Sequence, residues 1–422
     1  MLTQEQNRLL TEVEGDAPMG RFMRERHWIP CARSASLVAD GAPQPVRLLG
    51  RNYVAFRATD GRVGFFDEAC PHRGASLLLA RNEDCALRCI FHGWKFDVSG
   101  QAVEVPSEAE RSASFAAKVK LNHYPTFEGG GLLWVFLGEG APPPRPPVPY
   151  AALSRENVWI TRSVTPCNWL QGVEGTLDSV HVGTLHHSWI ANVQKNDGAS
   201  TIGHALTVHP RYEVAETAYG IRAAAIRKLD EERNYLRVTE YVMPFISLVP
   251  NTMAHREGNT FISVPIDNHN HMLFWGFWNE DSPVDMTERG QMFYNGERDM
   301  DHFASFPTGR AGSWGQDRAA MAEGHFTGFR DCLLQEDVVV QASMGPVVDR
   351  TKEQLCASDV AIVRARRRLL DELAAFERSA PDEFRAVEAE TAQSAAAQST
   401  GIVRPVDTIT PSDQAWRDLA LI

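Results

Sequence analysis

The feature that most constrains this fold is the stretch from Cys70 to His92, where two short motifs each carry one thiol and one imidazole. The first reads Cys-Pro-His and contains Cys70 and His72, and the second reads Cys-Ile-Phe-His and contains Cys89 and His92. Two thiolates and two imidazoles that converge from two loops predict a metal site. A structural zinc takes the same four ligands in a tetrahedral shell and is one possible occupant.

The distribution of the ligands argues against zinc. A zinc finger usually keeps its cysteines in one pair and its histidines in another, whereas here each loop supplies one of each. A [2Fe–2S] cluster with two cysteines on one iron and two histidines on the other requires this mixture. Gly74 and Gly93 follow the ligand pairs closely, which would let backbone amides hydrogen-bond the cluster sulfurs. The stretch resembles the Rieske motif, and that resemblance predicts a [2Fe–2S] cluster held by Cys70, His72, Cys89 and His92.

The size and charge of the chain limit what surrounds this cluster. A cluster domain alone is small, but the chain has 422 residues, a length that suggests about two or three domains. The net charge of −12 argues against nucleic acid and anionic membrane as partners. Because the sequence shows no long apolar run, no signal peptide at its start and no disulfide framework, we expect a cytoplasmic protein.

The pattern of strands and helices predicts an α+β protein with two domains. Short strands at 46–49, 53–56, 63–66, 96–98 and 132–137 indicate a small β-sandwich with the cluster loops at its hairpin tips. The proline-rich stretch 142–149 is typical of a stiff spacer. We place an N-terminal segment and Rieske domain at 1–147 and a catalytic domain at 148–422.

The second domain should combine an antiparallel sheet with helices. The predicted strands lie at 212–215, 221–226, 235–242 and 272–278, and the predicted helices lie at 282–307 and 357–378. Residues 386–400 read equally well as helix or as flexible tail. No strand leads into a Gly-x-Gly-x-x-Gly turn and helix, so electrons should come from another protein rather than from a nicotinamide bound by this chain.

A second group of metal-binding residue types follows the spacer. Glu174, Asp178 and His181 would share one face of a helix. His186 lies five residues after His181, about 140° round a regular helix, so both can bind one metal only if the helix breaks. Gly183 and Thr184 are weak helix formers and permit that break. Each histidine could instead be a hydrogen-bonded core residue.

Two imidazoles and one carboxylate on one face of Fe(II) form the facial triad of non-haem iron oxygenases. The pattern Asp-x-x-His-x-x-x-x-His downstream of a Rieske motif resembles the large subunits of the Rieske non-haem iron oxygenases. By that resemblance His181 and His186 bind iron, while Asp178 orients a histidine and connects to the cluster of the neighbouring subunit. The third ligand should come from 331–341, where Asp337 matches the family best, with Glu336 as runner-up and Asp331 as a further candidate.

The closer resemblance is to the phthalate dioxygenase branch, whose members use aromatic carboxylates. It rests on the motifs at 70–77 and 91–97, on Tyr-Gly-Ile-Arg at 219–222 and on Ser-Met-Gly-Pro-Val-Val-Asp-Arg-Thr at 343–351. A carboxylate substrate would need an arginine in the pocket. The candidates are Arg211, Arg222, Arg227, Arg237 and Arg256, although each one taken singly reads as a surface or salt-bridged arginine.

The resemblance implies a helix-grip type of catalytic domain and a mechanism. A separate NAD(P)H-dependent reductase would reduce the cluster, and both atoms of O2 would enter an aromatic carboxylate to give a cis-dihydrodiol. Head-to-tail packing into a homotrimer or stacked hexamer would bring one subunit's cluster to the next subunit's iron. The alternatives are a monooxygenase that hydroxylates or removes O- or N-linked methyl groups, a pure electron carrier, and a zinc-stabilised binding module.

Overall fold

A computed structural model describes residues 1–196, 201–206, 209–250, 258–286, 309–379 and 400–405. The chain is α+β, as the sequence predicts. The strands of the N-terminal half are β1 (Trp28–Arg33), β2 (Gln44–Leu48), β3 (Arg51–Arg57), β4 (Val63–Asp67), β5 (Arg81–Glu83), β6 (Ala86–Arg88), β7 (Lys95–Asp97), β8 (Ala102–Glu104), β9 (Thr126–Gly129) and β10 (Leu132–Phe136). They form three antiparallel sheets with the orders β1-β10-β9, β2-β3-β4 and β5-β6-β7-β8.

The predicted strands of this half are confirmed within a few residues as β2, β3, β4, β7 and β10, and five strands, β1, β5, β6, β8 and β9, were not predicted. The region before residue 45 was expected to be helical and then irregular, yet β1 pairs with β10 along the sheet. Pro30 inside β1 has no N–H to donate to a ladder, which argues against a strand in sequence. The structure accommodates it at an irregularity of the pairing between Pro30 and Ala32.

The two cluster loops differ in their setting. Residues 89–94 form the tip of the β6–β7 hairpin, as predicted. The first loop, residues 68–80, instead connects β4 to β5, which belong to different sheets, so the prediction of a hairpin tip is wrong for that loop. The apolar cluster beneath both loops includes Cys70, Leu77, Cys89 and Phe96, so the loops share one small core.

The catalytic half is built on an eight-stranded antiparallel sheet. Its strands are β11 (Val158–Thr165), β12 (Arg211–Thr217), β13 (Gly220–Lys228), β14 (Arg233–Val242), β15 (Ile246–Val249), β16 (Gly258–Pro265), β17 (His271–Trp278) and β18 (Thr400–Pro405). The order is β11-β17-β16-β15-β14-β13-β12, with β18 paired to β14. The four strands predicted for this region are therefore confirmed as parts of β12, β13, β14 and β17.

Nine helices occur in the described part of the chain. They are α1 (Gln4–Thr11), α2 (Pro18–Arg26), α3 (Ser112–Ala116), α4 (Trp169–Leu177), α5 (His181–Thr184), α6 (His187–Asn196), α7 (Arg318–Ala322), α8 (Leu333–Ser343) and α9 (Val360–Arg378). None of these helices is long and apolar enough to span a bilayer. The helix predicted at 357–378 is confirmed. Residues 282–286 form no helix, and the rest of the helix predicted at 282–307 lies almost entirely outside the described residues, as does 386–399.

Helix α4 crosses the sheet at close range and thereby positions the second site. Its first turn is capped by Asn168, whose side-chain oxygen accepts from the Leu170 N–H at 3.1 Å. At Gly172 a β-carbon would lie only 2.4 Å from Ser263 Oγ on β16. The absence of a side chain at Gly172 lets the helix contact the sheet.

The N-terminal helices pack on the catalytic half. The ring of Phe22 on α2 contacts that of Phe376 on α9 edge-on, with centroids 5.6 Å apart. The backbone N–H of Val13 donates to Asn268 Oδ1 at 2.7 Å. Leu10, Phe22, Leu369 and Phe376 thus belong to one continuous core. The domain boundary at 147/148 stays a prediction.

Candidate metal centres

The two cluster loops use the same turn. The Gly74 N–H donates to the carbonyl of Cys70 at 2.8 Å, and the Gly93 N–H donates to the carbonyl of Cys89 at 2.9 Å. Both glycines have a left-handed φ, +75° and +74° respectively, which a side chain disfavours. Each turn brings its cysteine into the core, where Cys70 and Cys89 are both 2% exposed. The glycines therefore close the ligand loops, a role the sequence analysis did not assign to them.

The four ligands are of two types, which alternate along the chain but are grouped by type in space. Burial, with a smaller contribution from the neighbouring Cys89 sulfur, raises the pKa of the Cys70 thiol to about 11. The rings of His72 and His92 lie side by side with centroids 4.4 Å apart. Two adjacent thiols and two adjacent imidazoles fit a [2Fe–2S] cluster with unlike ligands on its two irons. A single zinc would require all four donors around one point.

The imidazole end of this site reaches the surface. His72 and His92 are half-buried, and Nδ1 of His92 is a buried atom without a hydrogen-bond partner in the described structure. Leu79 on the first cluster loop and Ile90 and Phe91 on the second are exposed by 64%, 57% and 55%. We call these three residues the apolar rim.

The second candidate centre brings together His181, His186 and Asp337. One donor atom from each lies within 4.8 Å of the other two, and no other set of three metal-binding side chains does so among the residues searched. Asp337 Oδ1 is 3.5 Å from Nε2 of His181 and 3.3 Å from Nε2 of His186. Two imidazole nitrogens and one carboxylate oxygen at this spacing match the donor set expected for Fe(II).

The other two acids of the 331–341 segment have different partners. Asp331 accepts from the Gln335 side chain at 3.0 Å. Glu336 Oε2 lies 2.7 Å from Nδ1 of His186, on the opposite side of that ring from Asp337. The structure therefore gathers Asp337 with the two histidines and leaves the two alternatives outside the group.

The chain reaches this geometry by breaking its helix twice. Helix α4 ends at Leu177, Asp178 has an extended backbone, and α5 begins only at His181. The predicted helical face shared by Asp178 and His181 is therefore wrong. A second interruption follows Thr184, where Leu185 and His186 form a turn before α6. That interruption is next to the Gly183-Thr184 break point predicted from sequence.

Glu174 does not join the metal-binding side chains. It accepts from Arg350 at 2.9 Å and from Arg366 at 2.7 Å, and both arginines are almost fully buried. Although burial opposes ionisation, the charges of the two arginines hold the pKa of Glu174 below its ordinary value. This acid, which the sequence pattern grouped with Asp178, ties α4 to α9 instead.

Each histidine of the second centre has a carboxylate behind it. Asp178 Oδ2 lies 3.5 Å from Nδ1 of His181. Burial raises the pKa of Asp178, but the hydrogen bond and charge of His181 outweigh it, so the pKa is lowered overall. Burial likewise disfavours the charged form of His186, yet Asp337 and Glu336 raise its pKa to about 9. This concentration of carboxylates around two imidazoles favours a bound cation.

A partly enclosed pocket adjoins this centre. Its wall includes Phe261, Leu273 and Arg237 together with the three metal-binding side chains. Arg237 is 3% exposed, and its Nε and Nη1 have no hydrogen-bond partner in the described structure. Buried donors without acceptors are costly, so these two nitrogens favour an acceptor, such as a carboxylate, inside the pocket.

The other candidate arginines are already engaged or outside the described residues. Arg211 bonds Glu213, Arg222 bonds Glu240, and Arg227 donates to the Ser179 carbonyl at 2.7 Å. Arg256 lies outside the described residues. The sequence could not separate these arginines, because a strand in sequence does not show which of its charged side chains lacks a partner.

Comparison with known proteins identifies the family. A model described as Rieske [2Fe-2S] domain matches residues 27–125, and one described as LigXa C-terminal domain like matches residues 135–421. The chain is 40% identical over 388 residues to the phthalate 4,5-dioxygenase oxygenase subunit of Pseudomonas putida, which covers 89% of this chain and 87% of the relative. The chain belongs to the Rieske non-haem iron oxygenases, in the phthalate dioxygenase-like branch. This oxygenase therefore binds a Rieske [2Fe–2S] cluster and a mononuclear iron.

Two further matches show the breadth of the family. This oxygenase is 31% identical over 382 residues to the 5,5'-dehydrodivanillate O-demethylase oxygenase subunit of a Sphingobium species, covering 88% of the chain and 81% of the relative. A variant oxygenase in the oxygenase–ferredoxin complex of carbazole 1,9a-dioxygenase shares the fold, with a TM-score of 0.54 at 18% identity over 84% of this chain and 94% of that chain. The family resemblance predicted from sequence is confirmed, and the zinc-module and electron-carrier alternatives are excluded.

Proposed function

We propose that Cys70, His72, Cys89 and His92 hold the cluster and that His181, His186 and Asp337 hold the mononuclear Fe(II). The spatial sorting of the first four ligands and the convergence of the last three support this assignment. When bound, the two groups supply electron relay and activation of O2. The protein must bind the substrate beside the iron and keep the iron ligands oriented.

We propose that the substrate is an aromatic carboxylate bound through Arg237. The observation that carries this proposal is the guanidinium of Arg237, which lies buried in the wall of the pocket that contains the three iron ligands and whose Nε and Nη1 have no hydrogen-bond partner in the described structure. A planar guanidinium binds a carboxylate through two parallel hydrogen bonds, which fixes orientation as well as affinity. The apolar side chains of Phe261 and Leu273 in the same wall suit an aromatic ring.

We propose dioxygenation to a cis-dihydrodiol as the reaction, as the name of the phthalate relative suggests. The second candidate is monooxygenation, including removal of an O-linked methyl group, which is favoured by the O-demethylase relative. Both reactions use the same iron ligands and the same electron supply. They differ in the substrate that Arg237 holds against the iron.

We propose that electrons come from a separate NAD(P)H-dependent reductase, directly or through a ferredoxin. The solved carbazole oxygenase is named as a complex with ferredoxin, which supports a separate donor. We also propose a homotrimer or stacked hexamer, in which the apolar rim beside His72 and His92 packs near Asp178 of the neighbouring subunit. Exposed apolar side chains around half-buried imidazoles support such an interface.

The test measures substrate binding and turnover in the purified oxygenase with a reductase. Phthalate, benzoate and their methyl esters are offered to the wild type, to Arg237→Gln and to the matched control Arg211→Gln, whose exposed arginine bonds Glu213. Losing hydrogen bonds to a charged group costs about 1.5–3 kcal/mol, so Arg237→Gln should weaken binding of the acid by about 10- to 100-fold and leave the ester unchanged. Equal binding of the acid by Arg237→Gln and wild type would refute the carboxylate assignment.

The product decides between the two reactions. Mass spectrometry with labelled O2 should show two labelled oxygens in a dihydrodiol if the enzyme is a dioxygenase. One labelled oxygen, or release of formaldehyde from a methoxylated acid, would establish monooxygenation instead.

A further inference from the structure

Glu336 occupies an unusual place beside the second metal centre. Its side chain is 0% exposed, and both of its oxygens are engaged. Oε2 lies 2.7 Å from Nδ1 of His186, and Oε1 accepts a hydrogen bond from the hydroxyl of Thr327. Glu336 contacts His186 through Nδ1, whereas Asp337 faces Nε2 of both histidines, so Glu336 has a function different from that of its neighbour in sequence.

The geometry of α8 explains how two consecutive acids contact opposite sides of the His186 imidazole. Glu336 and Asp337 are consecutive on α8, so their side chains diverge by about 100° around the helix axis. Asp337 Oδ1 faces Nε2 of His186 at 3.3 Å, whereas Glu336 Oε2 faces Nδ1. A carboxylate only accepts hydrogen bonds, so a proton on Nδ1 leaves Nε2 with its lone pair free.

We propose that Glu336 is a positioning residue that fixes the tautomer and ring orientation of His186, so that Nε2 is presented to the iron. This inference rests on the proposed assignment of His186 as an iron ligand. Carboxylates that accept from the outer nitrogen of a metal-bound histidine raise its basicity and lock its orientation. Glu336 does this from a fully buried position, and it is not itself among the residues that line the pocket.

Thr327 extends the arrangement to a neighbouring loop. It lies between α7 and α8, and the next residue towards α7, Phe326, donates its backbone N–H to Ser188 Oγ at 2.8 Å. Ser188 follows His186 by two residues at the start of α6. The loop therefore hydrogen-bonds both to Glu336 and to the start of α6, close to His186. These hydrogen bonds hold the Glu336 carboxylate in place.

The two histidines are held in different ways. Asp178, which stands behind His181, has a side chain that is 31% exposed and lines the pocket. Glu336 is inaccessible from the pocket and from any neighbouring subunit. We therefore expect Glu336 to act only through the orientation and basicity of His186, not through electron delivery.

The experiment measures Fe(II) binding in Glu336→Gln, Glu336→Ala and Thr327→Val. The matched control is Glu323→Gln, an exposed acid in the same α7–α8 connection. Metal-free protein that retains its cluster is titrated with Fe(II) against a chelator. The nitric oxide adduct of the iron site is then compared by EPR, and the visible spectrum of the cluster reports the fold in every variant.

Glu336→Ala should weaken Fe(II) affinity by about 10- to 100-fold, as loss of such outer partners usually does. We expect it also to broaden the EPR signal, because His186 is no longer held in one orientation. Glu336→Gln keeps an acceptor for Nδ1–H and should recover part of that affinity, and Thr327→Val should show a smaller loss. Unchanged affinity and EPR in both Glu336→Ala and Glu336→Gln would overturn the inference.

A further variant separates this inference from the iron-site assignment. Asp337→Ala should lose the mononuclear iron altogether. If Asp337→Ala retains it, the assignment of the iron ligands fails. If Asp337→Ala loses it and both Glu336 variants bind Fe(II) normally, only the positioning role fails. Abolished binding in Glu336→Gln with normal binding in Asp337→Ala would make Glu336 the third ligand.

Discussion

Trp94 stacks on the imidazole of His72, with ring centroids 4.4 Å apart and planes only 6° from parallel. His92, the partner of His72 in the cluster site, contacts Phe91 with its ring at an angle of 40° instead. The two imidazoles are therefore supported differently. Trp94 is 7% exposed and belongs to the core beneath the loops, so one cluster ligand rests on the core and the other on the apolar rim.

We expect the Trp94 stack to protect the cluster. Trp94→Ala should destabilise the Rieske domain by about 3–5 kcal/mol, the usual effect of truncating a buried tryptophan, and speed bleaching of the visible absorption on mild heating. Trp94→Phe retains a ring and should lose less. The control is Val103→Ala, since Val103 is 49% exposed in the same domain. Equal bleaching rates in Trp94→Ala and the control would contradict this role.

Loss of the Asp337 carboxylate should remove the mononuclear iron and spare the cluster. Asp337→Asn lacks the charge that faces Nε2 of both histidines, so iron content should fall by one atom per chain while the Rieske spectrum persists. The matched variant Asp331→Asn should keep its iron, because Asp331 bonds Gln335. Metal analysis together with visible spectra checks both statements. A reduced iron content in Asp331→Asn would reopen the choice of third ligand.

Replacement of Asp178 should slow electron delivery without removing iron. Asp178→Asn keeps a side chain of the same size behind His181 but loses the charge 3.5 Å from its Nδ1. We expect reoxidation of the reduced cluster by O2 and substrate to slow by about 10- to 100-fold, the usual effect of losing an outer-shell partner. Stopped-flow absorbance measures the rate. Normal reoxidation in an iron-loaded variant would exclude Asp178 from the route.

The Glu174 cluster should make stability depend on acid pH. The folded-state pKa of Glu174 is below its unfolded value, so its contribution is fully present above the unfolded pKa and is lost as the pH falls through the folded pKa. Glu174→Ala leaves the buried Arg350 without its acid and leaves Arg366 with Glu353 alone, and it should cost about 3–5 kcal/mol. Urea unfolding at neutral pH checks the loss, with the exposed pair variant Glu5→Gln as the unaffected control. A variant as stable as wild type would show that the two arginines find other partners.

Charge in the apolar rim should separate the subunits. Phe91→Glu places a carboxylate at a residue that is 55% exposed, where a packed interface would bury it. Light scattering should show a smaller assembly, and turnover should fall although both iron centres remain loaded. The exposed residue Val38, 66% accessible on the same half of the chain, offers Val38→Glu as control. An unchanged assembly in Phe91→Glu would place the interface elsewhere.

The metal-binding residues of this protein could be predicted from the sequence more easily than its long-range contacts. Cys70 and His181 stand in spaced motifs, and spacing along a chain is visible without a structure. The partner of Glu174 was out of reach, because Arg350 lies far along the chain and only the fold brings the two together. The helix break at Asp178 was also missed, because helix propensity is a weak guide that the tertiary structure can override, and Asp178 adopts an extended conformation.

The packing of α2 against α9 has a consequence for how the chain is assembled. Phe22 precedes the whole Rieske domain, whereas its neighbour Phe376 follows most of the catalytic half. The Rieske half is therefore inserted in the sequence between two segments that pack together, and its own residues Trp28, Tyr53 and Phe136 belong to the same core. This core is completed only when α9, which is synthesised late, packs against the first helices. A fragment cut at either end of the Rieske domain would therefore expose apolar surface on the catalytic part.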